Sequence, residues 1–287
     1  MNTLEYDYLC KLLKDRSGLV LSSDKQYLLE SRLLSIVRRL DLGNLSGLVA
    51  ILRAPGAESL IVQVVEAMTT NESFFYRDKI PFDNFNQAIM PALIVARANQ
   101  RRVRIWCAAA STGQEPYSLA MCLKEMGHKL AGWRIDIVAT DLSLEVLEKA
   151  TAGVYSQFEV QRGLPAQMLV KYFTQKGDTW QISPEIRAMV QYRPFNLLHD
   201  FGSLGNFDVV FCRNVLIYFD QHAKVDILHR IAKLMPPDGY LVLGAAETVV
   251  GLTERFKPLT DRRGVYALND GAGAAPAVPR LAVAAAR

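Results

Sequence analysis

The signatures of metal binding and of activated nucleophiles are missing from this chain. Its four histidines, His128, His199, His222 and His229, show no ligand spacing with a cysteine or acid, so no metal is expected. There is no G-x-S-x-G elbow, and no Cys/His pairing is suggested by position, which disfavours hydrolase chemistry. The four cysteines, Cys10, Cys107, Cys122 and Cys212, lie far apart without a C-x-x-C. Cys107 and Cys212 end apolar strands and read as buried small hydrophobes of a reduced, cytoplasmic protein. No apolar run approaches the roughly 20 residues of a membrane span. Glu5, Asp7 and Lys11 leave no room for the apolar core of a signal peptide. A formal net charge of +4 gives no reason to invoke nucleic acid.

What is present is enough apolar material, 50% of 287 residues, for one large domain and a small one. Residues 1–70 carry helical periodicity, broken at Ser17-Gly18, Gly43-Asn44 and Ala54-Pro-Gly56. Over 25–40, Leu29, Leu33, Ile36, Val37 and Leu40 form a buried stripe. Lys25, Arg32 and Arg39 recur every seventh residue on its flank, with Arg38 further round and only Glu30 to offset them. Such a flank is either a solvated face or a surface for a partner with acidic helices. Residues 71–102 read as a linker or lid. Its aromatic run Phe74-Phe-Tyr76 lies beside Asn71, Ser73 and Arg77, and suits either a pinned connection or a cover over a ligand.

From 103 to 268 strands and helices alternate. Strands are expected at 103–107, 135–140, 190–195, 207–212, 240–244 and 265–268, with helices at 116–126, 144–150 and 221–234. This pattern predicts an α/β fold with a doubly wound, mostly parallel sheet. Residues 154–188 exceed a simple crossover and predict an inserted subdomain with a helix at 165–172 and a β-like pair around Lys176-Gly-Asp178. The tail 269–287 lacks aromatics and period and is expected to be disordered.

The chemistry concentrates at strand ends. The first strand runs into Ala108-Ala-Ala-Ser-Thr-Gly-Gln-Glu-Pro116, a turn of small residues with Pro116 suited to the first helical position. Ala108, Ala109, Ala110 and Gly113 would let a ligand approach the backbone, and Asp141 ends the second strand, where a carboxylate holds ribose hydroxyls. No G-x-G-x-x-G is present, and Glu115 would repel a pyrophosphate but attract an ammonium or sulfonium. Glu115 alone also suits the helix dipole; together with Asp141 it points to S-adenosylmethionine. Asn196, placed to read an adenine edge, and Arg213, Asn214 and Tyr218 follow the third and fourth strands and face the same rim.

Four motifs taken together, Thr70-Asn-Glu-Ser-Phe-Phe-Tyr-Arg77, Ala109-Ala-Ser-Thr-Gly-Gln-Glu-Pro-Tyr-Ser118, Ala139-Thr-Asp141 and Phe211-Cys-Arg-Asn-Val-Leu-Ile-Tyr-Phe219, closely resemble the CheR family of chemoreceptor glutamate methyltransferases. The resemblance implies a class I methyltransferase (Rossmann-like) core, a small all-α N-terminal domain and an inserted β-subdomain. It implies a pocket for S-adenosyl-L-methionine, with product S-adenosyl-L-homocysteine, lined by Asn71, Ser73, Arg77, Glu115, Asp141, Asn196, Leu197, Arg213 and Asn214. Arg77 and Tyr218 would lie nearest the reacting methyl, and Lys25, Arg32, Arg38 and Arg39 would face the cytoplasmic helices of methyl-accepting chemotaxis proteins. Many members have two acids where this chain has Gly113-Gln-Glu115, and Thr where it has Ser73. Some members of the family dock a receptor C-terminal peptide through a longer, glycine-rich loop; by that resemblance the short turn Gln175-Lys-Gly-Asp-Thr179 implies no such docking, the alternative being that loop length varies freely. A monomer without nucleic-acid or membrane insertion is expected. The rivals are another class I methyltransferase of an acid or RNA, and a non-catalytic binding module. Arg213-Asn-Val-Leu216 in place of Asn-Pro-Pro-Tyr argues against nucleobase targets.

Overall fold

A computed structural model describes residues 1–269; the tail from 270 on, where disorder is expected, lies outside the described residues. The N-terminal part is four helices: α1 (Thr3–Ser17), α2 (Gln26–Arg39), α3 (Leu45–Leu52) and α4 (Glu58–Met68). Asn2 and Glu5 close a capping box on α1, and Gly18 ends it at φ 76°, a left-handed conformation that glycine adopts without penalty. Leu9, Leu13, Leu29, Leu33, Leu48 and Val64 are fully buried among these helices. Leu40 departs from the expected stripe and is 42% exposed, because the helix ends at Arg39 and the chain turns away.

Residues 71–102, read as a linker or lid, carry helices of their own. Beyond Lys79 they form α5 (Ile80–Asn84), a π-helical turn (Phe85–Ile89) and α6 (Met90–Ala96), and bury Phe82, Phe85, Ile89, Met90 and Leu93 against the sheet. Two prolines hide this helix from a reading by periodicity. Pro81 sits in its first turn, and Pro91, which lacks an N–H, comes two residues after the end of the wider π turn.

The core strands are β1 (Arg102–Ala108) and β2 (Arg134–Asp141), joined by α7 (Gln114–Glu125). After α8 (Leu144–Ala152) the chain builds a small antiparallel sheet from β3 (Val154–Ser156), β4 (Phe173–Lys176) and β5 (Thr179–Ile182). Helices α9 (Gln157–Gln161), α10 (Ala166–Tyr172) and α11 (Pro184–Arg187) accompany that sheet. The core resumes with β6 (Val190–Pro194), β7 (Val209–Cys212), α12 (Gln221–Lys233), β8 (Tyr240–Leu243), β9 (Phe256–Pro258) and β10 (Val265–Leu268).

Among the described residues the main sheet has the order β6-β2-β1-β7-β8-β10-β9, parallel through β8 and antiparallel thereafter. The three-residue β9, too short for a period, is the core strand absent from the sequence reading. Alternate side chains of β1 feed two cores: Val103, Ile105 and Cys107 pack on one face of the sheet, Trp106 and Ala108 on the other. The strand order reverses between β1 and β7, so their carboxyl ends diverge into a crevice.

Candidate cofactor and active site

That crevice holds a cleft of about 1010 Å³, counting solvent at its mouth. Its floor is the turn after β1. Ala109 (φ 64°) and Ser111 (φ 50°) both adopt the left-handed backbone that non-glycine residues avoid, at roughly 1–3 kcal/mol each. The surroundings enforce it. Ala110 N–H donates to the Thr140 carbonyl (2.9 Å), Ser111 N–H to Asp141 Oδ2 (2.8 Å) and Ser111 Oγ to the Asn71 carbonyl (2.8 Å). Ala109, Ala110 and Ser111 line the cleft; Ala108 and Gly113 do not. A Cβ on Gly113 would meet the Tyr192 hydroxyl, Ala150 Cβ and the Tyr155 hydroxyl at 2.7, 2.9 and 3.1 Å, so this glycine accommodates neighbouring side chains rather than a ligand. Its left-handed φ of 92° also starts α7 at Gln114, which makes Pro116 the third helical residue, not the first.

Asp141 stands at the tip of β2, 7% exposed. Burial pushes its carboxyl up, and the backbone N–H groups of Ser143, Ser111 and Leu142 oppose this. Oδ1 accepts from Ser143 N–H (3.1 Å). Each oxygen keeps a lone pair for a further donor. Glu115 is similarly buried, and burial pushes its carboxyl up against the pull of the Arg213 charge. Its Oε2 takes Arg213 at 2.7 Å, and Glu115 itself faces the cleft. Arg213 lines the cleft too, but its guanidinium is tied to the protein: besides Glu115 it donates to Asp78 Oδ2 (2.7 Å) and the Arg77 carbonyl (3.0 Å). It joins α7, the segment before α5 and the loop after β7.

All nine expected pocket residues and Tyr218 line this one cleft. Asn71 donates to Thr69 Oγ1 (3.1 Å), and Leu197 is buried. Asn196 is occupied differently from the adenine contact expected of it: its Nδ2 donates to the Arg16 carbonyl (2.7 Å) and its Oδ1 accepts from Leu198 N–H (2.9 Å). Arg77 donates to the Glu72 carbonyl (2.8 Å) and rests on the Phe74 ring at 5.5 Å. None of Phe74, Phe75 and Tyr76 lines the cleft; its aromatic lining is Phe195, Tyr218 and Phe219. Phe75 is fully buried against Tyr155 and Phe173 of the inserted segment and pins the connection there.

Two contributions escape any reading of local sequence. The first is the N-terminal domain: Ser17, Leu19 and Met68–Thr70 wall the cleft, because Gly18 packs so close to Phe219 that a Cβ would lie 2.1 Å from its ring. The second is Glu247. Its buried carboxylate accepts four backbone N–H groups, from Asn214 (2.7 Å), Val215 (2.9 Å), Leu216 (2.8 Å) and Gly244 (2.7 Å), and so holds the loop carrying Arg213 and Asn214. Asn214 is left-handed at φ 58° within that grip.

Lys25, just before α2, and Arg38 and Arg39 within it are exposed, and Arg39 donates to Gln63. Arg32 turns inward instead. It donates to the carbonyls of Met68 (2.7 Å) and Thr69 (2.9 Å) and to Thr70 Oγ1 (3.0 Å), which caps α4 where the chain enters the cleft wall. It is a structural tie rather than part of an outward basic face.

Residues 71–265 match the family described as CheR methyltransferase, SAM binding domain, and residues 4–69 match CheR methyltransferase, all-alpha domain. Chemotaxis protein methyltransferase 1 of Pseudomonas aeruginosa is 45% identical over 251 residues, covering 85% of this chain and 90% of that one. Chemotaxis protein methyltransferase 1 of Vibrio cholerae is 38% identical over 264 residues, 91% and 95% of the two chains. The chemotaxis protein methyltransferase of Salmonella typhimurium is 34% identical over 254 residues, 86% and 85%. The cofactor is S-adenosylmethionine. The cleft fits it on its own terms: two buried carboxylates for a ligand with a cationic arm and vicinal hydroxyls, and a floor of small residues.

Proposed function

Because this chain belongs to the CheR methyltransferase family, we propose that it esterifies glutamate side chains of bacterial chemoreceptors with methyl groups from S-adenosylmethionine, the covalent step of sensory adaptation in chemotaxis. The observation that carries this reading is that Arg77 and Tyr218 line one cleft with the buried carboxylates of Glu115 and Asp141, which suit a cationic ligand. An acceptor carboxylate is ionised at neutral pH, its unperturbed pKa being about 4.3, and needs no general base.

When bound, the cofactor supplies an electrophilic methyl on a sulfonium, and its transfer to a carboxylate removes both charges. Everything else falls to the chain. Asp141 accepts the ribose hydroxyls, and Glu115 holds the amino-acid arm. Leu19, Met68, Phe195, Leu197 and Phe219 exclude water, so that loss of charge is favoured. Arg77 orients the incoming carboxylate from the cleft wall, where half-buried Tyr218 also lies.

The receptor surface is the exposed flank of α2, with Lys25, Arg38 and Arg39 meeting acidic helices. The hairpin of β4 and β5 turns over Gly177 and Asp178 alone, which supports direct recognition of methylation helices without a terminal peptide. The enzyme works as a monomer in the cytoplasm, where those helices lie, and no helix among the described residues is long and apolar enough to cross a membrane. Incubation with radiolabelled cofactor and receptor-containing membranes tests the assignment. Label in receptor released as methanol by mild base is the expected result; base-stable label, or none with cofactor binding intact, refutes it.

A further inference from the structure

Beside the cleft, one glutamate and one phenyl ring serve two cations. Glu72 belongs to the cleft wall, yet its carboxylate turns outward to Arg162 Nη2 at 2.6 Å. Arg162 ends α9 in the inserted segment and lies 4.4 Å above the Phe74 ring, the same ring that carries Arg77 at 5.5 Å. The backbone of Glu72 meanwhile accepts Arg77 at 2.8 Å. The inserted segment can come this close because Gly163 follows at φ 82°, where a Cβ would lie 2.1 Å from the Phe75 carbonyl. Two guanidinium groups therefore share one aromatic platform at the edge of the active site, and of the two only Arg162 has a carboxylate partner among the described residues.

That pair is exchangeable. Its side chains are 40% and 54% exposed, so solvent screens the attraction and the bond competes poorly with another carboxylate. The ring, in contrast, holds Arg162 whichever acid it pairs with. The geometry points to Arg162 as a specificity-determining residue that takes a second acidic side chain of the acceptor helix, with the Glu72 carboxylate occupying that place until substrate displaces it. This rests on the glutamate-methylation reading. On a helix, residues four apart lie about 5–6 Å from each other at Cβ. An acceptor glutamate directed to Arg77 can thus present a neighbouring acid to Arg162. Glu72 disfavours acidic segments twice over, by occupying the cation and by repelling the incoming charge.

The test uses the whole chain loaded with S-adenosyl-L-homocysteine and two labelled helical peptides, one with glutamates at i and i+4, the other with glutamine at i+4. Fluorescence anisotropy of the wild type should favour the two-acid peptide by about tenfold. Arg162→Gln should make the two peptides equal. Glu72→Gln should tighten the two-acid peptide about three- to tenfold, a gain that a merely structural lesion does not produce. Discrimination kept in Arg162→Gln, or binding unchanged or weakened in Glu72→Gln, overturns the assignment; the second arm decides alone if the first variant does not fold. Methyl-ester formation is scored separately: peptides that bind and discriminate but never gain base-labile methyl would sink the glutamate reading and leave the role of Arg162 standing.

Discussion

On the sheet side of the cleft the anchoring groups are buried and multiply bonded. Asp141 holds two backbone N–H groups, Glu247 holds four, and the Arg213 side chain, 1% exposed, bridges Glu115 and Asp78. Toward the helical domain and the inserted segment these side-chain contacts are exposed to solvent. Asn196 reaches one carbonyl of α1, Lys14 meets Asp220 at the surface, and the exposed Glu72 and Arg162 pair with each other. The contrast separates two tasks. A cofactor of fixed shape gains from a site whose strained turns are over-determined, whereas a variable protein substrate needs partners that can exchange.

The largest effect expected from breaking this contrast is at Glu247. Replacement by Ala strands four donors in a buried loop and should cost about 3–5 kcal/mol in chemical denaturation. A loss under 1 kcal/mol would mean water takes over the loop. Asp141→Asn comes next. Loss of the charged acceptor, worth roughly 1.5–3 kcal/mol, should weaken cofactor binding about ten- to a hundredfold by calorimetry. The substitution is less innocent than its shape suggests, because the new amide nitrogen must face the N–H of either Ser111 or Ser143. The ligand-free protein should therefore also lose stability, and unchanged affinity would place the ribose elsewhere.

On the helical side, Arg32→Glu and Arg38→Glu should part company. Loss of the Arg32 bonds to Met68, Thr69 and Thr70 loosens residues that line the cleft, so cofactor affinity should drop a fewfold. Arg38→Glu should leave cofactor affinity alone and raise the KM for receptor, in a manner weakened by salt because exposed charges are screened within about 8 Å at physiological ionic strength. Equal behaviour of the two variants would erase the distinction.

The smallest effect is in pH. Burial raises the carboxyls of Asp141 and Glu115 above their ordinary values of 3.8 and 4.5. A raised folded-state value means that the fold gains from protonation, so the ligand-free protein should lose stability as pH rises through that range. Affinity for a cationic ligand runs the other way and should decline on acidification above the usual carboxylate range. Calorimetry across this range, compared with Glu115→Gln, checks it; a variant as pH-dependent as the wild type would remove Glu115 from the account.

Period and residue type made much of the architecture legible. The β-branched runs at 103–107 and 135–140 alternate between two cores as period-two patterns must, and Asp141 was visible because a carboxylate ending an apolar strand has few other uses. The linker helix was not legible, since Pro81 and Pro91 break the pattern while a π turn lets the helix continue. Apolar spacing along α2 announced which face is buried, yet it carried no information on where Arg32 would find its acceptors, which come from residues 36 to 38 positions later.

What the sequence by itself determined is therefore what local periodicity encodes: most strands and helices, the insertion, and which strand ends carry chemistry. Only the tertiary structure decided how polar groups are shared. Arg213 meets Glu115 across 98 positions and Asn196 meets Arg16 across 180, while Gly113 is small because of Tyr192, Ala150 and Tyr155. A side chain's burial follows from its neighbours along the chain, but its hydrogen-bond partners follow from where the folded sheet brings distant loops together, and no spacing in the chain records that distance.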